Sequence, residues 1–298
     1  MDKLELKALG KVNLGLDIIG KKENGYHEVR MVMQTVYLYD RVILERNRTP
    51  GITLETNLKF LPVNENNIAY KAADLIRKEF GISEGIKIIL DKHIPVAAGM
   101  AGGSANAAAV LFGMNRMYGL GLSEEELKKR GVGLGADVPY CIMRGTVLAE
   151  GIGEKLTPLP PIPKCYVLIA KPPLSASTET VYEKYDALEE ISHPDIDGII
   201  RGLSEADIRQ AAASMGNVLE QVMLKEYPII GRIKQEMLES GAMGALMSGS
   251  GPTVFGLFDS RSAAKAAARK IKSRNLTKQA YVTNVHNVRR NIDEGTKF

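Results

Sequence analysis

Positions 97–109 read Ala-Ala-Gly-Met-Ala-Gly-Gly-Ser-Ala-Asn-Ala-Ala-Ala, with seven alanines and three glycines in thirteen places. The run follows a short apolar stretch at 86–90, closed by His93-Ile94-Pro95, that reads as a strand. It leads into a helical spacing through Asn106, Val110 and Met114. A strand passing into a helix through side chains this small brings backbone close to whatever lies opposite. Two outcomes satisfy that geometry. One is a helix packed tightly on a sheet, where close approach demands small residues. The other is a phosphate cradle, because the leading N–H groups of a helix lack partners and the aligned peptide dipoles favour an anion, by ~0.3–1 kcal/mol at a surface. Ser104, at the helix mouth, offers a hydroxyl to a phosphate or to Mg²⁺. No G-x-x-x-x-G-K-[ST] occurs and no clean G-x-G-x-x-G follows the first strand, so P-loop and dinucleotide-binding folds fall away.

The frame around this run is mixed. Residues 11–18 alternate, with Val12, Leu14, Leu16 and Ile18 on one face and Lys11, Asn13, Gly15 and Asp17 on the other, as in a strand with a polar face. Asn24-Gly25 predicts a tight turn, and VRMVMQTVYLYDRVIL after it supplies two β-rich runs. A helix starts at Asn67 and stops at Gly81; another is capped by the Ser123/Glu126 box and ends at Gly131. Between positions 52 and 67 only turn-like residues stand out. Pro158, Pro160, Pro161 and Pro163 form a linker, dividing the chain into domains 1–157 and 158–298. Beyond it come strands at 166–170, 245–248, 253–258 and 281–285 and helices at 227–240 and 262–271. At 298 residues this predicts an α+β chain of two domains.

The formal charge of +4 is a small excess spread along the chain, unlike the patch or run of a nucleic-acid or membrane-surface protein. The expected partner is a small molecule; no oligomeric state is specified. Two cysteines provide no disulfide framework, the N-terminus lacks a signal-peptide core and no segment is apolar enough to span a bilayer. These features point to a cytoplasmic location. The four histidines have no zinc-ligand spacing, so no metal ligands are assigned.

Three further features bear on chemistry. Ser248-Gly249-Ser250-Gly251-Pro252-Thr253, between two strands, is either a flexible hairpin or, given its proline, a shaped loop. Asp137 lies in GVGLGADVPY, where the glycines and Pro139 exclude a regular helix; it is a loop carboxylate that either bonds its own turn or serves chemistry. Lys11 is a solvated strand charge unless it meets Asp137, where it would keep the carboxylate ionised and aimed at a hydroxyl proton.

Lys11-Val12-Asn13-Leu14, the loop from Pro95 to Asn106 and the Gly249 loop together resemble the three motifs of the GHMP small-molecule kinase superfamily. Asn24-Gly25-Tyr26-His27-Glu28, Met33-Gln34-Thr35, Gly135-Ala136-Asp137-Val138-Pro139, Ser177-Thr178 and Val181-Tyr182 narrow the resemblance to the branch acting on cytidyl-diphosphate-linked methylerythritol in non-mevalonate isoprenoid synthesis. The resemblance implies the two-domain α+β GHMP kinase fold with its site in the inter-domain cleft, and ATP with Mg²⁺. It implies that Asp137 is the general base and Lys11 its charged partner. It gives the ATP phosphates to Pro95, Ala97, Ala98, Gly99, Met100, Ala101, Gly102, Gly103, Ser104 and Ala105. Tyr26, His27 and Tyr182 would take the cytidine base, Asn13 would position the substrate, and Gly249, Ser250 and Gly251 would support the methylerythritol side. A homoserine- or mevalonate-type kinase, or a non-catalytic nucleotide sensor on the same fold, are the alternatives. Ala97, Ala101 and Ala105 depart from the pattern, which has glycine, glycine and commonly serine there; alanine suffices unless a position needs positive φ.

Overall fold

The structure, a computed structural model, describes residues 1–23 and 25–288, so Asn24 of the expected turn lies outside the described residues. One sheet is built from β1 (Lys3–Lys21), β2 (His27–Asn47), β3 (Ile52–Thr56), β4 (Gly85–Asp91), β5 (Thr146–Glu150), β6 (Lys155–Pro158) and β8 (Gly216–Asn217), and the other from β7 (Tyr166–Lys171), β9 (Gly244–Met247), β10 (Val254–Phe258) and β11 (Gln279–Asn284). The first half carries helices α1 (Ile68–Glu79), α2 (Gly102–Tyr118), α3 (Glu124–Val132) and α4 (Val138–Met143). The second carries α5 (Thr178–Asp186), α6 (Ile196–Ser204), α7 (Ile208–Ala213), α8 (Glu220–Glu226), α9 (Pro228–Glu239) and α10 (Arg261–Ser273). Among the described residues no helix is long and apolar enough to cross a membrane. Asn67 caps α1, and the Ser123/Glu126 box caps α3.

The first sheet runs β3-β4-β2-β1-β8, with β5 added to β2 and β6 to β5; the second runs β11-β7-β10-β9. Three sequence expectations change. The two β-rich runs after the turn are one 21-residue strand, because β2 pairs along its length with β1 and on its other edge first with β5 and then with β4. The turn-like region includes a true strand, β3, parallel to β4. The third change concerns β1. Register shifts between Leu9 and Lys11 and between Asn13 and Gly15 flip its faces. Leu6, Ala8, Leu16 and Ile18 therefore share one buried cluster with residues of α1 and α2, whereas Val12 and Leu14 share another with Val167, Ile169 and Phe255 of the second half. Lys11, Asn13 and Asp17 are turned into the protein and buried, where the alternation alone predicted a solvated face.

Candidate active site

Lys11 and Asp137, far apart in sequence, meet with Lys11 Nζ 3.5 Å from Asp137 Oδ2. The register of the first two strands explains why. Lys11 pairs across from Thr35, whose hydroxyl shares a 2.9 Å hydrogen bond with the phenol of Tyr140, three residues beyond Asp137 in the fully buried α4. Asp137 is thus the residue that opens α4, not a loop carboxylate, and Pro139 is tolerated because it falls in the first turn, where a missing N–H breaks no helical bond. Lys11 is 4% exposed and donates a 2.8 Å hydrogen bond to Asn13 Oδ1, while Asp137 keeps about a third of its side chain (30%) open. A buried ammonium thus stands beside a carboxylate that solvent still reaches.

The glycine-rich segments of the two halves pack backbone to backbone around this pair. Lys11 N–H donates to Met100 O (3.1 Å), and Ser248 Oγ donates to Gly99 O (2.9 Å). A methyl built on Gly99 would lie 2.0 Å from Ser248 O, so only glycine permits this contact. A methyl on Gly249 would stand 3.2 Å from Gly99 O and 3.6 Å from Asn13 Oδ1, and one on Gly135 would stand 3.9 Å from Ser104 Oγ. The loop 97–101, the Gly249 loop, Asn13, Ser104 and the approach to Asp137 therefore form one neighbourhood. The N-cap of α2, Ala101, is left-handed (φ 56°) and supplies no side-chain cap, leaving the first N–H groups of a 17-residue helix to other partners. Ala97 is left-handed too, at φ 49°. These are two of the positions where the family pattern has glycine, and alanine carries backbone strain there. Pro95, Ala98, Met100 and Ala105 are buried supports, while Ala97 and Gly103 are exposed.

Of the residues expected at the base, His27 and Tyr182 come together at α5. Thr178, in its first turn, shares a 2.9 Å hydrogen bond with Ser250 of the glycine loop. The His27 ring lies 4.7 Å from that of Tyr182 and 6.3 Å from that of Tyr185. Burial, reinforced by the charge of Asp137, pushes the Tyr182 phenol up to about 12, so it stays protonated. Tyr26, beside the hairpin turn, is 60% exposed and presents an aromatic face.

Sequence reasoning missed several supporting residues. Asp40 is fully buried; it accepts from the backbone N–H of His93 (2.7 Å) and Ile94 (2.8 Å) and binds both Lys92 Nζ and Asn106 Nδ2, fixing the chain where it enters the loop at Pro95. Asn217 donates to Met247 O and Gly249 O, both at 2.8 Å, and so holds the second glycine loop. Asp186 binds His27. Each is a lone polar residue in an ordinary stretch, with no spacing to mark it. Gln34, by contrast, lies in a quoted motif. It accepts from Thr146 Oγ1 (2.7 Å) and donates to His286 O (3.2 Å), tying the end of the second half to the first sheet.

Residues 67–145 match the GHMP kinases N terminal domain and residues 187–277 match GHMP kinases C terminal. Fold and site together define a GHMP kinase, an ATP-dependent enzyme. The chain is 55% identical, over 283 residues covering 95% of it and 98% of the relative, to 4-diphosphocytidyl-2-C-methyl-D-erythritol kinase of Lachnospira eligens. A crystal structure of 4-(cytidine 5'-diphospho)-2C-methyl-D-erythritol kinase matches with TM-score 0.80 at 30% identity, over 96% of this chain and 100% of that one. Homoserine kinase from Cytophaga hutchinsonii, at 22% identity with TM-score 0.76 over 96% of each chain, shares the fold. The chain belongs to the family of the 4-diphosphocytidyl-2-C-methyl-D-erythritol kinases.

Proposed function

We infer that this enzyme transfers the γ-phosphoryl group of ATP to the 2-hydroxyl of 4-diphosphocytidyl-2-C-methyl-D-erythritol. The observation that carries the reading is the Lys11–Asp137 pair at 3.5 Å, set beside two interlocked glycine loops and Ser104. Phosphoryl transfer to an alcohol asks little covalent chemistry of a protein; it asks for in-line positioning, charge stabilisation and one base. Asp137 accepts the hydroxyl proton, and Lys11, 3.5 Å away, directs it. The N–H groups at the start of α2 and in the 97–105 loop take the ATP phosphates, aided by the helix dipole. Mg²⁺ fits the donor set, since the ion would need only one or two protein oxygens besides the phosphates; the Ser104 hydroxyl would supply one and leave Asp137 to act as the base. When bound, the ion neutralises phosphate charge.

Tyr26 and Tyr182 enclose the cytosine, and His27 meets its edge. Asn13 and the Gly249, Ser250 and Gly251 loop support the methylerythritol. We place the seam between the halves at 157/158, at the end of β6, whose last residue, Pro158, still pairs with Val147 in the first sheet. A homoserine- or mevalonate-type substrate would need no aromatic pocket, and a nucleotide sensor would need no Lys11–Asp137 pair. The deciding experiment is ADP release with a panel of acceptor alcohols. Turnover is expected with the cytidyl compound and not with homoserine or mevalonate; silence with the cytidyl compound overturns the reading.

A further inference from the structure

His27 is gripped at one ring nitrogen by a carboxylate that phosphoryl transfer does not require. Its Nε2 lies 2.6 Å from Oδ1 of Asp186, and the other oxygen, Oδ2, takes the ammonium of Lys21. Asp186 ends α5 one helical turn beyond Tyr182, so the imidazole is held edge-on by the carboxylate while its ring lies against the tyrosine. Burial works against the ionised carboxyl, but the hydrogen bonds from Lys21 and His27 outweigh it and hold the group below its ordinary value of 3.8. An ionised carboxylate only accepts hydrogen bonds, so the proton between the two groups sits on Nε2. A neutral imidazole protonated there carries a bare lone pair on Nδ1.

We propose that Asp186 is a positioning residue for substrate specificity: it locks His27 in the Nε2–H tautomer, so that Nδ1 is offered as an acceptor and an acceptor substrate whose base carries an exocyclic amine is selected over one with a carbonyl in that place. Cytosine presents such an amine, whereas the corresponding oxygen of uracil would face the Nδ1 lone pair with no proton between them. The inference rests on the reading that His27 meets the base, and it adds what makes that contact discriminate. A site committed to one hydrogen-bond pattern rejects the mismatched partner strongly, because both buried groups are left unpaired.

The test compares the enzyme with Asp186→Ala and Asp186→Asn, using the cytidyl acceptor and its uridyl analogue at saturating ATP. The wild type is expected to favour the cytidyl form by roughly 100-fold or more in kcat/KM. Both variants should lower that ratio at least about tenfold, through kcat/KM for the cytidyl form, with the KM for ATP within about twofold. Asparagine is informative because its amide can donate as well as accept, which releases the tautomer at constant size. Nitrogen-15 spectra of the His27 imidazole read the same feature without turnover: the wild type should carry its proton on Nε2, and the variants should show a mixture. An unchanged ratio in both variants overturns the proposal, as does a wild-type proton on Nδ1. Failure of the wild type to use the cytidyl compound refutes the assigned reaction instead, while the spectra still decide the tautomer.

Discussion

Replacing Gly99 by alanine strikes the point where the two halves touch. The added methyl would lie 2.0 Å from the Ser248 carbonyl oxygen, 2.9 Å from its carbon and 3.3 Å from Gly251 N, all of them backbone. Side-chain methyls do not approach closer than 3.0 Å, so relief requires the loops to separate by about 1 Å, and no flexible side chain can absorb it. The left-handed φ of +67° adds roughly 1–2 kcal/mol for a residue bearing a Cβ. A displacement of about 1 Å in positioning groups costs on the order of 100-fold in rate, or about 2.7 kcal/mol of transition-state stabilisation. Gly99→Ala is therefore expected to melt several degrees lower and to lose about 100-fold in kcat, with KM rising for both ATP and acceptor because the contact serves both loops. Gly231→Ala, whose methyl meets only Leu224 Cδ2 at 3.7 Å, is the control and should behave as wild type. Steady-state kinetics with each substrate varied in turn, beside a thermal melt, give the answer. A Gly99→Ala enzyme with kcat within threefold of wild type and an unshifted melt would show that the loops are not positioned by this contact.

Asp137→Asn should lower kcat by roughly 100- to 10,000-fold, as for loss of a positioned base, while the KM for ATP stays nearly constant; near-normal turnover removes Asp137 from that role. Ala97→Gly relieves an exposed left-handed alanine, and after allowance for the greater freedom of glycine in the unfolded chain it should stabilise by up to about 1 kcal/mol in denaturant melts; a lower midpoint would contradict the strain. Tyr26→Ala should weaken acceptor binding by about 1–3 kcal/mol, the usual worth of a base stacked on an aromatic ring, and leave the KM for ATP unchanged. Equal changes for both substrates would move the base pocket elsewhere.

Local signals carried much of this architecture. The Asn67 and Ser123 caps, the strand into the small-residue run and the paired strands around Gly249 are all where propensity and turn chemistry put them. What failed were features decided at a distance. The burial of Lys11 and Asn13 depends on two register shifts, which appear only once β1 is paired with β2. The helix after Asp137 is six residues long, held by Tyr140 and Thr35 rather than by intrinsic preference, so glycines and a proline hid it. The Ala97 and Ala101 departures were visible as letters, but their cost is a matter of φ. Asp40, Asn217 and Asp186 act on backbone or on other side chains far along the chain, and no periodicity could announce them.

The helix α5 gives the handle on the substrate a mechanical purpose. Its nine residues span about 13 Å, and Thr178, Tyr182 and Tyr185/Asp186 recur every three or four positions, which places them along one face. One end of that face touches Ser250 of the Gly249 loop, and the other touches His27. On the proposed reading, binding energy collected at the base would be delivered to an element that also bears on the loop beside the reacting hydroxyl. If it were used only for affinity, an acceptor lacking the cytidine diphosphate would show a raised KM and an unchanged kcat at saturation. If it is used to position, the truncated acceptor loses kcat as well, because the fragment saturates the site without drawing α5 and the Ser250 loop together. Free methylerythritol phosphate at saturating concentration distinguishes these outcomes, and addition of separate cytidine diphosphate refines them. Partial recovery of kcat with both pieces present is the expected result, and full kcat for the fragment alone would refute a positioning role for the handle.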